Sequence, residues 1–144
     1  MGTAANKDMS NSSTIARRPD ARLIRPEEWN SFLAEFTREY RGAHARLEVI
    51  GATTDTGYQV ETEDQPFEGA SADTKDRERT VWITFGSGPK DHLSHGVERV
   101  TAIRMLEPSQ GRGAVLEVET ADGTKNILEL SGVADFALPP GEKK

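Results

Sequence analysis

The sequence predicts a single α+β domain, in which an N-terminal amphipathic helix packs on a strongly bent antiparallel sheet or a partly open small β-barrel of about six to seven strands. One segment near the start has helical periodicity, and every later segment alternates with a period of two. Since no later helix is available for a crossover between parallel strands, neighbouring strands should be antiparallel.

The helix is predicted from the segment PEEWNSFLAEFTREY. Its large apolar residues recur at helical spacing and form one stripe: Trp29, Phe32, Leu33, Phe36 and Tyr40. Pro26 suits a first helical turn, Glu27 and Glu28 suit the positive end of the helix dipole, and Gly42 is a natural stop. A stripe with four aromatic rings needs a large apolar surface to cover it.

Alternating segments predict the strands, and they lie at residues 45–51, 57–62, 67–73, 79–86, 97–106 and on both sides of a final turn. Gly69 predicts a bulge or a strong bend. The stretch 97–106 is apolar on both faces, which favours a central strand.

The final hairpin, AVLEVETADGTKNILEL, could turn on two residues or on three. A two-residue turn would place Leu116 opposite the charged Glu129, whereas a three-residue turn keeps all the leucines and Val118 on one face. We therefore predict a three-residue turn in which Gly123 is left-handed.

The chain is expected to consist of a disordered tail (1–20), one domain (21–134) and a second disordered tail (135–144). No apolar run is long enough for a membrane helix, and the start has no secretory pattern. The chain has no cysteine, so disulfides and thiolate ligands are excluded. A cytoplasmic protein without membrane contact is the expectation.

Charge is unevenly distributed along the chain. Residues 1–25 hold five basic and two acidic side chains, which gives this segment a net charge of +3. Because the whole chain has a net charge of −6, the remainder has a net charge of −9. An acidic body repels phosphate backbones, so nucleic acid is not an expected partner.

The stretch DHLSHGVERVTAIRM contains the candidate metal ligands Asp91, His92 and His95. Histidines three apart in a strand point to opposite faces, so they could share one ion only if the loop bends. We interpret the stretch as a turn that leads into a strand, with exposed or structural histidines, and expect no metal and no cofactor. The alternative is a small metal-binding protein or metal-dependent enzyme that uses these three residues.

Trp82 is the candidate partner contact. It lies on the strand face opposite Val81, Ile83 and Phe85, so it is core if the helix packs there, which we favour, and exposed if only one face is covered. No nucleophile-elbow or P-loop pattern is present. The predicted function is a non-catalytic binding module that meets a protein partner or a second copy through a sheet edge or an exposed aromatic face.

The chain resembles an uncharacterised family of short bacterial proteins, a domain of unknown function. The segments EEWNSFLAEFTREYRG, LEVIG, FEGASADTK, DHLSHGVERVTAIRM and LEVETADGTKNILEL carry this resemblance. It implies a small bacterial cytoplasmic protein and no particular activity. The order of one helix followed by bent strands also resembles Sm-like and SH3-like small barrels, but the acidic body argues against carrying over RNA binding.

Overall fold

The computed structural model describes residue 15 and residues 18–51, 58–75, 78–86, 92–109 and 112–131. The elements in chain order are β1 (Arg22–Ile24), a 3-10 turn (Pro26–Glu28), helix α1 (Trp29–Tyr40), β2 (His44–Ile50), β3 (Tyr58–Asp73), β4 (Thr80–Phe85), β5 (Leu93–Val97), β6 (Val100–Leu106), β7 (Val115–Thr120) and β8 (Lys125–Ser131). In these residues the strands form one antiparallel sheet in the order β1-β6-β7-β8-β2-β3-β4-β5. The predicted α+β class with an antiparallel sheet is confirmed.

Three details of the predicted layout were wrong. The described residues contain eight strands rather than six to seven. One of them, β1, comes before the helix in the chain and pairs with β6. The order has two free ends, β1 and β5, so the described strands form an open sheet, in agreement with the predicted bent sheet and not with a closed barrel. The segment 97–106 is also not one strand: it breaks at Glu98 and Arg99, where a positive φ of 57° at Arg99 carries the chain from β5, beside β4, to β6, beside β7.

Helix α1 follows the predicted pattern. Trp29, Leu33, Phe36 and Tyr40 are buried, and Phe32 is half-buried at the side of the stripe. The Phe36 ring contacts Tyr40 edge-on at 4.9 Å between centroids and Phe67 of β3 at 5.5 Å. Gly42 ends the helix with a φ of 94°. The aromatic stripe is therefore what holds the helix on the concave face of the sheet.

Strand β3 bends the sheet. Two separate strands were predicted here, but β3 runs unbroken over 16 residues, pairing first with β2 and then with β4. The predicted bulge is confirmed by a register shift between Phe67 and Gly69. A Cβ on Gly69 would lie 3.0 Å from Cγ2 of Thr37, and the Thr37 hydroxyl exchanges hydrogen bonds with the backbone of Ala70. This glycine lets the helix approach the bend closely.

The β7–β8 hairpin has the predicted register. Leu116 pairs with Leu128, and both lie in the core with Val118 and Leu130. Thr120 N–H donates to Thr124 O, which leaves three residues in the turn, and Gly123 has a φ of 89°. Burial of the four apolar side chains decides the turn length, as predicted.

Asp122 in this turn is expected to titrate at an unusually low pH. The Thr120 hydroxyl donates to Asp122 Oδ1 over 2.6 Å, and with the Thr124 N–H at 3.0 Å it lowers the pKa of Asp122 to about 2. Because the pKa is lowered on folding, the stabilising contribution is present above the ordinary value of 3.8 and is lost as pH falls toward 2. Carboxyl carbon NMR should give this midpoint.

Thr120→Val should move the Asp122 midpoint upward toward its ordinary value, since it removes the hydroxyl hydrogen bond that lowers this pKa most. Thr101→Val is the matched control, because that hydroxyl bonds the Glu119 carbonyl instead. An unchanged Asp122 midpoint in Thr120→Val would show that the hydroxyl does not stabilise the carboxylate.

The outer, convex face of the sheet carries a smaller buried cluster of Ile15, Leu106, Val115 and Ile127. Beside it, Glu117 is 0% exposed and accepts the Ile15 N–H at 2.9 Å and the Arg104 guanidinium at 2.9 Å. Arg104 also donates to Glu119 at 2.8 Å. Ile15 is thus hydrogen-bonded to β7 in the middle of the sheet.

The predicted tails fall mostly outside the described residues, which exclude 1–14, 16–17 and 132–144. Their predicted disorder and the domain boundaries at 21 and 134 stay predictions. Ile15, which the composition assigned to the first tail, is buried against β6, β7 and β8.

Candidate functional site

Trp82 lies on the surface. Its side chain is 46% exposed, so the favoured core position was wrong: α1 covers the face that carries Val81, Ile83 and Phe85, and Trp82 points the other way. Strand alternation fixes which residues share a face but does not say which face the helix covers.

The Trp82 ring rests on the edge strand. Trp82 is the register partner of Gly96 in β5, and a Cβ on Gly96 would lie 2.6 Å from Cζ3 of the ring. Only glycine leaves room for the indole in this position. The aromatic side chain therefore leans over β5, which pairs with β4 alone in the described sheet.

Cross-strand neighbours extend this surface without adding charge. Ser71 is the β3 partner of Trp82, and Thr84 pairs with Ser94, their hydroxyl oxygens 3.1 Å apart. We call this set the Trp82 surface: Ser71, Trp82, Thr84, Ser94 and Gly96. Among the described residues, Trp82 and Leu93 (52% exposed, at the start of β5) are two of four exposed large hydrophobic side chains.

The candidate metal ligands do not converge in the part of the chain that is described. His92 precedes β5, and its Nδ1 lies 3.1 Å from Glu68 Oε1, whereas His95 lies within β5 and contacts Asn126 of β8. Asp91 lies outside the described residues. In those residues no group of three or more histidine, aspartate or glutamate side chains is placed to hold a metal ion.

The His95 side chain contacts Asn126 of β8, a strand that is not a neighbour of β5 in the sheet. Its Nε2 is 3.0 Å from Asn126 Oδ1, and Asn126 Nδ2 donates to the Val118 carbonyl at 3.4 Å. Since the amide oxygen can only accept, Nε2 carries the proton in this arrangement. A cavity of about 230 Å³ lies beside this contact, bordered by β5 and the β7–β8 turn. The contact links edge strand β5 to the middle of the sheet.

Comparison with known proteins places the chain in one family, whose match spans residues 20–136 and is described as a family of unknown function. The chain belongs to DUF5335. The predicted resemblance to an uncharacterised family is thereby confirmed. No curated protein and no solved structure matches the chain, so the likeness to Sm-like and SH3-like barrels stays a prediction.

In this DUF5335 chain the arginines near the start of the domain are engaged with carboxylates. Arg18 pairs with Asp20, Arg25 with Glu27, and Arg22 with Glu107. Lys7 and Arg17, which complete the basic set, lie outside the described residues. None of the helices in the described ranges is both long and apolar enough to cross a membrane.

Sequence reasoning missed two features of the DUF5335 chain. The contact between Trp82 and Gly96 was missed because Gly96 fell in the stretch interpreted as a turn before the strand predicted at 97–106, whereas it lies inside β5. The groove between α1 and β1, described below, had no local signal, because strand β1 comes to the helix through its pairing with β6.

Proposed function

We propose that this protein is a non-catalytic interaction module that binds a strand of a protein partner along β5, with Trp82 packed against that partner. The observation that carries the proposal is the position of the indole over Gly96, because it joins the exposed aromatic ring and the sheet edge into one surface. Free strand edges pair readily with an added strand.

The chemistry of the Trp82 surface supports a protein partner. Tryptophan supplies a large contact area with little conformational entropy to lose and is enriched among the residues that dominate binding energies. The five residues of this surface are uncharged and Asp73 lies at its margin, although the chain beyond residue 25 has a net charge of −9. An uncharged patch on an acidic body can be dehydrated at a lower cost than its surroundings.

A second copy of the chain is the less favoured occupant of β5. Two acidic bodies would repel each other at close range. We further propose that the protein acts in the bacterial cytoplasm; a chain without cysteine forms no disulfide and needs no oxidising compartment to fold.

Two surface substitutions test the β5 site. Trp82→Ala removes the aromatic contact, and Ser94→Lys places a charge of the kind that protects natural sheet edges. Both should lower the yield of the partner captured by the full chain from a bacterial lysate about tenfold or more. Quantitative mass spectrometry of the eluates measures the yield, and sedimentation velocity separates partner binding from self-association.

Leu23→Lys is the matched control, since Leu23 is 62% exposed on β1, at the opposite end of the strand order. It should capture the same protein at the wild-type yield. If Trp82→Ala and Ser94→Lys also retain that protein at wild-type yield while their circular dichroism is unchanged, the β5 surface is not the binding site.

A further inference from the structure

A groove of about 360 Å³ lies between α1 and strands β1 and β6. We call it the helix groove. Its floor is apolar and consists of Ile24, Phe32, Phe36 and Met105, while its rim includes four carboxylates, those of Glu28, Glu35, Glu39 and Glu107. Arg22 is the single basic side chain among the described residues that line it. The helix groove thus combines an apolar floor with an acidic rim, in which Glu107 is paired with Arg22 and Glu35 with Arg38.

Arg22 shows what chemistry the helix groove accommodates. Its guanidinium carbon lies 5.4 Å from the centre of the Phe32 ring, and Nη2 lies 3.6 Å from Glu107 Oε2. An aromatic face together with a carboxylate is a favourable environment for a guanidinium. Phe32 is only half-buried, so its ring remains accessible beside this cation.

The acidic rim also affects its surroundings. Burial raises the pKa of Tyr40 to about 12, and the nearby negative charges of Glu39 and Glu107 add to that rise. The same charges would attract a cation that approaches from solvent.

We propose that the helix groove binds a basic segment of a protein partner, in which an arginine or lysine follows or precedes an apolar residue. The apolar side chain would contact Phe32, since Ile24, Phe36 and Met105 are at most 3% exposed. The cation would meet Glu39 and, in exchange with Arg38, Glu35 on the exposed side of α1. A simple polyamine supplies charge but leaves the apolar floor uncovered, so the charge and the floor together favour a peptide. This site shares no residue with the proposed β5 site, because α1, β1 and β6 with Glu107 line the groove, whereas the Trp82 surface lies on β3, β4 and β5.

Fluorescence anisotropy with a labelled synthetic peptide tests the proposal. The probe contains two Leu-Arg repeats in a Gly-Ser background, and matched peptides replace leucine by glycine or arginine by glutamate. The full wild-type chain should bind the Leu-Arg peptide, with the affinity falling as salt is raised, and bind both matched peptides at least about tenfold more weakly.

Glu35→Gln combined with Glu39→Gln should weaken binding of the Leu-Arg peptide about five- to tenfold, since each carboxylate is exposed and contributes modestly. Glu98→Gln and Glu78→Gln together form the matched control, because they remove the same charge outside the helix groove, and binding should stay within about twofold of wild type. Circular dichroism checks that all variants are folded.

Several outcomes would overturn the inference. One is equal weakening by both pairs of substitutions, which would mean attraction to net charge alone. Another is equal binding of the glycine-containing peptide or full competition by spermine at matched charge, which would show that the apolar floor does not contribute. Loss of binding in Trp82→Ala but not in Glu35→Gln/Glu39→Gln would place the peptide on β5, and no binding at millimolar peptide would exclude the site.

Discussion

Replacing Trp29 by alanine is expected to lower the free energy of unfolding by about 4 kcal/mol, as typical for a fully buried aromatic side chain. Trp29 is 0% exposed at the start of α1, and its indole N–H donates to the Ile24 carbonyl at 3.1 Å. The Arg79 guanidinium carbon lies over the Trp29 ring, 5.6 Å from its centre. One side chain therefore connects the helix, β1 and the start of β4. Urea denaturation followed by circular dichroism measures the change.

Trp82→Ala is the matched control, because the chain has two tryptophans and the second is on the surface. It should lower the free energy of unfolding by less than about 1 kcal/mol, as for most surface changes. Trp29→Phe, which keeps most of the ring but loses the N–H donor, should fall between the two at about 1–2 kcal/mol. Equal losses in Trp29→Ala and Trp82→Ala would contradict the position of α1 on the concave face.

Arg104→Ala should destabilise the protein by about 3 kcal/mol. The substitution removes the ion pair of Arg104 with the fully buried Glu117 carboxylate at 2.9 Å and also the contact with Glu119. Removing one partner of a buried pair is costly because the other charge stays in a low-dielectric environment. We place the value at the lower end of the usual range because the Arg104 side chain is 22% exposed. The same denaturation experiment gives the measurement.

The double variant Arg104→Met/Glu117→Met should recover much of that stability, since it replaces both charges by apolar side chains on a face that already carries an apolar cluster. Arg38→Ala is the surface control, because its ion pair with Glu35 is exposed, and it should cost less than about 0.5 kcal/mol. A double variant as unstable as Arg104→Ala would show that charge burial is not the cause of the loss.

Local patterns predicted much of the fold correctly. The period of the aromatic residues defined α1 and its buried face, and Gly42 marked its end, because both depend on residues within a few turns of each other. The β7–β8 register followed in the same way, since one wrong residue in the turn would have exposed Leu116 or buried Glu129. Gly69 marked the bulge in β3.

The candidate sites depended on contacts between distant segments. Alternation assigned Trp82 to one side of β4. Its exposure and its packing over Gly96 could be known only from the position of α1 and the register of β5. His92 and His95 are three residues apart, yet each meets a different strand, at Glu68 and at Asn126. The spacing of the histidines alone could not reveal those partners.

The sequence by itself determined the elements whose pattern is local: the amphipathic helix, strands β2 and β4, and the final hairpin. Only the tertiary structure decided how these elements meet: β1 joins β6, β3 spans the bend, and the chain changes neighbours at Glu98 and Arg99. The physical reason is that periodicity records which side of an element is apolar, whereas the covering partner is fixed by packing and pairing among segments far apart in the chain.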